Sequence, residues 1–195
     1  MASQPGRLIL ASSSPARREL LARLGTPFEV WPAHIDEPTG FHDPRTEVQT
    51  VSWLKAAAVA SRLDRGILIA ADTIGWIDGQ AILKPTDEAD ARRILRQLGG
   101  REHELWTGVV LWRRPDDVQL VWQERSLVHF RAMSDDETTR YLATRQWANN
   151  SGAYAILEEG DPYVRVVEGS VTNVIGLPLE SLRERLGWLA ERERW

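Results

Sequence analysis

In LILASSSPARRELLARLG, residues 8–25, an apolar run passes directly into three serines, a proline and a pair of arginines, and then takes up a helical period. The pattern predicts a short buried strand from Leu8 to Ser12 and a helix from Ala16 to Leu24 that stops at Gly25. Ser12, Ser13 and Ser14 supply hydroxyls able to cap first-turn N–H groups, and Pro15 suits the first turn. Arg17 and Arg18 do not serve that role, because cations near a helix N-terminus oppose the macrodipole. An anion between them would remove the conflict. The segment therefore reads either as a plainly capped helix or as a phosphate or carboxylate site built from hydroxyls, free N–H groups and guanidinium.

Outward from this unit, Phe28 to Trp31 predicts a second strand, and residues 32–45, rich in proline, aspartate and glycine, a loop carrying the acidic pair Asp36-Glu37. Thr46, with Gln49 in capping-box spacing, opens a long helix that ends near Gly66. Ile67 to Ile77 is a strongly apolar strand, turned at Asp78-Gly79 into a short strand from Ala81 to Leu83. Thr86 caps the next helix, which ends at Gly99-Gly100, and long strands follow at about 103–113 and 118–132. Ser134 with Glu137 makes another capping box, a strand is expected at residues 163–167, and a last amphipathic helix starts near Leu179. Strands alternating with helices argue for a mixed, largely covered α/β sheet.

The chain has 195 residues, of which 43% are hydrophobic, enough for one domain spanning residues 1–195. It has no cysteine, so disulfides and cysteine-ligated zinc are excluded. No signal-peptide pattern and no membrane-length apolar run are present, which predicts a soluble, cytoplasmic protein without a membrane partner. A net charge of −4 without a basic block argues against a nucleic-acid partner. The four histidines, His34, His42, His103 and His129, lack metal-binding spacing and read as surface or strand residues. There is no P-loop. Among nine tryptophans, Trp112 and Trp122 lie at core-like strand positions, which suits core or homodimer packing better than base stacking.

Asp72 falls within an apolar strand, where a carboxylate must be paired, bound to metal or set at an exposed end. Only two of the 24 basic residues are lysines, Lys55 and Lys84, in a chain that otherwise uses arginine; such positions suit a compact ammonium rather than a planar fork. With Asp36 and Glu37, these residues supply both halves of a metal-assisted phosphate site. The carboxylates would hold magnesium, and Arg17, Lys55 and Lys84 would hold phosphate oxygens.

The chain resembles the Maf family of nucleoside triphosphate pyrophosphatases over nearly its full length. The family pattern Leu-Ala-Ser-x-Ser-Pro-Arg-Arg, followed by Glu-Leu-Leu and Leu-Gly, is similar to LASSSPARRELLARLG. Its other motifs match Asp36-Glu37, Lys55-Ala56, Ala71-Asp72-Thr73, Lys84-Pro85, Thr107-Gly108-Val109, GAY at 152–154 and NVIGLP from Asn173. The resemblance implies an elongated twisted sheet flanked by helices, two-lobed with a central cleft and related to the inosine triphosphate pyrophosphatases. It implies cleavage of a nucleoside triphosphate between its α and β phosphates with a divalent metal: magnesium, manganese or cobalt. Asp72 and Glu37 would bind the metal and serve the attacking water, Arg17, Lys55 and Lys84 would neutralise the triphosphate, and Ser12 and Thr73 would hydrogen-bond it.

Three departures bear on the substrate. Ala16 replaces the first arginine of Pro-Arg-Arg; a family branch associated with 7-methyl-GTP also lacks it, whereas Ala-Asp-Thr and Gly-Ala-Tyr resemble the branch cleaving dTTP and UTP. Asn150 and Leu157 stand where the family usually has lysine and glutamine. The leading expectation is a dTTP or UTP pyrophosphatase. The alternatives are a 7-methyl-GTP pyrophosphatase, a nucleotide-binding regulatory protein with weak or lost turnover, and an enzyme acting on another phosphoester.

Overall fold

The computed structural model describes residues 7–148, 150–156 and 160–191. Strand β1 (Leu8–Leu10) leads into α1 (Pro15–Ala22), then β2 (Glu29–Val30), α2 (Pro44–Ala60) and β3 (Gly66–Ile77). The chain continues through β4 (Gln80–Ile82), α3 (Glu88–Leu98), β5 (Arg101–Arg114), β6 (Val118–Phe130) and α4 (Asp135–Ala143). A 3-10 turn (Ser151–Ala153) precedes β7 (Val164–Glu168), α5 (Val171–Ile175) and α6 (Leu179–Glu191). The seven strands form one mixed sheet in the order β2-β1-β3-β5-β6-β7, with β4 on the free part of β3. The β1–β2 and β1–β3 pairs are parallel and the others antiparallel.

Alternation along β3 distributes its side chains to two faces. Leu68 and Ala70 pack under α2 with Ala56 and Val59. Ile69 and Ala71 face the opposite way, under Leu20 and Leu21 of α1 and Leu182 and Leu189 of α6. Further along the sheet, Ile77 and Leu105 pack with Ile94 and Leu98 of α3 and Tyr141 and Leu142 of α4. Two apolar clusters thus divide one face lengthwise into two lobes. Thr73 and Thr107, opposite each other in the β3–β5 ladder, lie along the strands between them.

The edge of β3 opens at the same level. Its last partner in β1 is Leu10, opposite Ile69, and β4 takes up that edge at Gly75, opposite Ile82. Among the described residues no strand pairs with β3 on that edge between these points. In sheets with parallel strands, such an opening beyond a strand's C-terminal end is where ligands bind.

Three local readings change. Helix α2 begins at Pro44, with Asp43 as its cap accepting from Arg45 N and Thr46 N, instead of at Thr46. A proline fits the first helical position, and aspartate suits the positive helix end, so the helix starts two residues early. For the same reason Asp87, which accepts from Asp90 N at 2.8 Å, caps α3 in place of Thr86. Helix α5, too short for a periodic signal, forms in a segment to which the sequence assigns no element. The Ser134–Glu137 capping box forms as expected.

Candidate active site

The serine segment caps α1 through Ser14, whose Oγ accepts from Arg17 N at 3.4 Å. The Arg17 side chain turns away from the helix's positive end. Its Nε donates to Gly176 O at 2.8 Å, one Nη to Thr73 Oγ1 at 3.0 Å and the other to Ser12 Oγ at 3.4 Å. Gly176 is the C-cap of α5, so the cation faces a carbonyl at the favourable end of that helix. Burial holds the Arg17 guanidinium below its usual range, against the opposing pull of Asp72 and Glu37. The misplaced charge of the sequence pattern thus has a protein partner, and Ser12, Arg17 and Thr73 are brought together.

Asp72 lies on the α2 face of β3 and is 7% exposed. Its Oδ1 is 2.6 Å from Lys55 Nζ, which also stands 2.8 Å from Glu37 Oε1. Lys55 reaches the strand because α2 crosses β5 very closely. A Cβ on Gly108, which is paired with Asp72 across the ladder, would come within 2.2 Å of Val48 O. Glycine at 108 is therefore what admits the helix that carries Lys55.

Sequence reasoning missed Glu47. It sits in the first turn of α2. Burial raises its carboxyl above the usual range, and the charges of Asp72 and Glu37 add to the effect. The signal lay in the helix start: a cap at Asp43 puts Glu47 in the turn entering the helix that delivers Lys55 to Asp72.

Lys84 behaves differently. It is exposed beyond the end of β4 and has no ion pair or hydrogen bond among the described residues. No described residue holds it against the Asp72–Lys55–Glu37 group. Asn150 donates to Gln146 O at 2.7 Å and precedes the 3-10 turn. Leu157 lies outside the described residues. His103 is a strand residue but a deeply buried one, with Nε2 2.7 Å from Tyr154 Oη of the Gly-Ala-Tyr segment. Trp122 is buried as expected, and Trp112 stacks with Trp53 at 6.0 Å.

No three His, Cys, Asp or Glu side chains form a ready-made metal cage among the described residues. The donors are instead two carboxylates, Asp72 and Glu37, converging on one ammonium. That set suits magnesium, which is commonly held by one or two carboxylates with substrate phosphates and water completing its shell. No helix among the described residues is long and apolar enough to cross a membrane.

A family model described as Maf-like protein matches residues 7–189. The chain belongs to the Maf family. Relatives of this Maf protein from several bacteria carry the name dTTP/UTP pyrophosphatase. The protein of Dictyoglomus thermophilum is 42% identical, covering 93% of this chain and 96% of its own. That of Moorella thermoacetica is 40% identical over 92% and 93%, and that of an Anaeromyxobacter strain 44% identical over 92% and 88%. Among solved structures, the Staphylococcus aureus Ham1 protein aligns with 64% of this chain and 71% of its own, at 16% identity and a TM-score of 0.48.

Proposed function

We propose that this Maf protein hydrolyses dTTP and UTP to the nucleoside monophosphate and pyrophosphate. The observation carrying the reading is the convergence of Asp72, Glu37 and Lys55 beside the Arg17–Ser12 group at the opening beyond β1. The substrate comes from the relatives named dTTP/UTP pyrophosphatase, which align over more than nine tenths of this chain.

In this reading the triphosphate lies along the open edge of β3. Arg17, already oriented by Gly176 and Thr73, meets phosphate oxygens without reorganising, which favours charge building up in the transition state. The Ser12 hydroxyl and the Lys55 ammonium add donors, and Lys84 joins when a phosphate gives it a partner. A water held by Asp72 or Glu37 attacks the α phosphorus and passes its proton to the carboxylate. The bond from the α phosphorus to the bridging oxygen breaks, and pyrophosphate leaves. Asp72 and Glu37 would hold a divalent cation, magnesium by preference with manganese or cobalt as substitutes, which when bound polarises phosphate oxygens and lowers the pKa of water.

The lack of cysteine supports a cytoplasmic setting for this activity. Ala16 is the one feature favouring 7-methyl-GTP instead. Pyrophosphate release from dTTP, UTP and 7-methyl-GTP, measured side by side with magnesium and with manganese, separates the two readings. Preference for 7-methyl-GTP by tenfold or more in kcat/KM would overturn the first.

A further inference from the structure

We propose that Thr107, a buried strand residue away from the opening, is a positioning residue that fixes the Arg17 guanidinium through Thr73. This rests on the reading that Arg17 holds substrate phosphate. Each threonine hydroxyl has one hydrogen to give. Thr107 is fully buried and its Oγ1 lies 3.0 Å from Asn173 O. A carbonyl has no hydrogen to give, so Thr107 donates there, and its single hydrogen is engaged. Thr73 Oγ1 lies 2.9 Å from Thr107 Oγ1 and must therefore be the donor of that bond. What Thr73 has left is a lone pair, which receives the Arg17 Nη hydrogen at 3.0 Å.

The bonds therefore run one way, from Arg17 to Thr73 to Thr107 to the carbonyl of Asn173 in α5. The same helix terminates at Gly176, whose carbonyl takes Arg17 Nε. Two of the three guanidinium nitrogens are thus referred to α5, one directly and one through two hydroxyls, while the third donates to Ser12. Gly176 completes the fit. Its φ is 121°, and a Cβ there would lie 3.1 Å from Thr73 Oγ1 and 3.4 Å from Arg17 Nε. A guanidinium matches a phosphate as a planar fork, so its orientation matters as much as its charge.

Phosphate oxygens only accept, so in this arrangement Thr73 has no hydrogen for them and acts through Arg17. Ser12 is the contrast. Its Oγ accepts from Ser14 N at 3.2 Å and from Arg17 at 3.4 Å, and donates to no described residue, so its hydrogen remains for the substrate. Thr73 and Thr107 are parts of one device, and Ser12 is a separate donor.

The test compares Thr107→Val, Thr107→Ala, Thr107→Ser, Thr73→Val and the double valine variant for dTTP and UTP hydrolysis. Thermal midpoints and the 15N–1H signal of Arg17 Nε are measured alongside. Thr107→Val should lower kcat/KM by about tenfold, Thr107→Ser should stay within about twofold of wild type, and the double variant should lose no more than the worse single one. The Arg17 signal should shift in Thr107→Val and hold in Thr107→Ser. If valine does not fold, Thr107→Ala carries the same expectations. Full activity in a folded Thr107→Val or Thr107→Ala protein, or additive losses in the double variant, would overturn the proposal. A wild-type protein that releases no pyrophosphate defeats the proposed function instead. The Arg17 signal then decides the positioning role by itself, and no shift in Thr107→Val rejects it.

Discussion

Lys55 Nζ lies 2.6 Å from Asp72 Oδ1 and 2.8 Å from Glu37 Oε1, so one ammonium joins a mid-strand carboxylate to a loop carboxylate that is half exposed. The pair explains how Asp72 is tolerated at 7% exposure within an apolar strand. It also leaves a negative balance, because Glu47 adds a third acid whose carboxyl is raised by burial and then by the other two.

Asp72→Asn retains shape and removes charge. Turnover should fall by about a hundredfold or more while the thermal midpoint stays within a few degrees of wild type. Activity within about tenfold of wild type, or about 1.4 kcal/mol of barrier, would remove Asp72 from the chemistry.

The two lysines should separate. Lys55→Ala leaves Asp72 without its cation and should cost about 3 kcal/mol of stability together with activity. Lys84→Ala removes an exposed side chain without a described partner and should leave stability within about 0.5 kcal/mol. It should raise KM for the triphosphate. Lys55→Arg and Lys84→Arg should each lose more kcat/KM than Arg92→Lys on the outer part of α3. Urea titrations and steady-state kinetics on the five proteins test this, and equal tolerance of the three charge-conserving changes would contradict the role assigned to the lysines.

Gly108→Ala places a methyl 2.2 Å from Val48 O and 2.5 Å from Val48 C. Both are backbone atoms, so α2 must lift from the sheet, and overpacking of this kind costs about 1–3 kcal/mol or more. Lys55 moves with the helix. The midpoint and kcat should fall together, and a variant with a lower midpoint but full kcat would show that the helix position does not matter to the chemistry.

His103 contributes to stability above the acid range. Burial lowers its pKa from 6.5 to about 4, so it stays neutral in the fold while the unfolded chain takes up a proton near 6.5. Where the unfolded state binds more protons, stability rises with pH; it should therefore fall as pH drops from 6.5 to about 4. At 1.36 kcal/mol per pH unit the full effect is about 3 kcal/mol. A His103→Phe, Tyr154→Phe double variant, which leaves neither partner alone, should show a weaker slope in that window by urea titration at fixed pH values. An unchanged slope would assign the acid sensitivity to other groups.

How far these features were legible follows from their physical origin. The β1–α1 unit, the Asp78-Gly79 hairpin and the two long strands rest on local patterns of period and turn chemistry, and they form close to their expected limits. Asp72 was recognisable because a charge in an apolar strand demands a partner. That its partner is Lys55 depends on how closely α2 crosses β5 at Gly108, a tertiary fact with no local trace. Arg17 stands out in the sequence because it conflicts with its own helix, yet the resolution lies 159 residues away in the carbonyl of Gly176. Thr107 and Asn173 carry no conspicuous chemistry in sequence, and the hydroxyl chain appears only when β3, β5 and α5 are assembled.

The phosphorus products of dTTP and UTP decide whether Asp72 serves cleavage between the α and β phosphates. With magnesium, the wild-type protein should release one pyrophosphate per monophosphate formed, and no orthophosphate beyond its background hydrolysis, while Asp72→Asn at equal concentration should release almost none. Orthophosphate with nucleoside diphosphate as the products, or no difference between wild type and Asp72→Asn, would contradict the account.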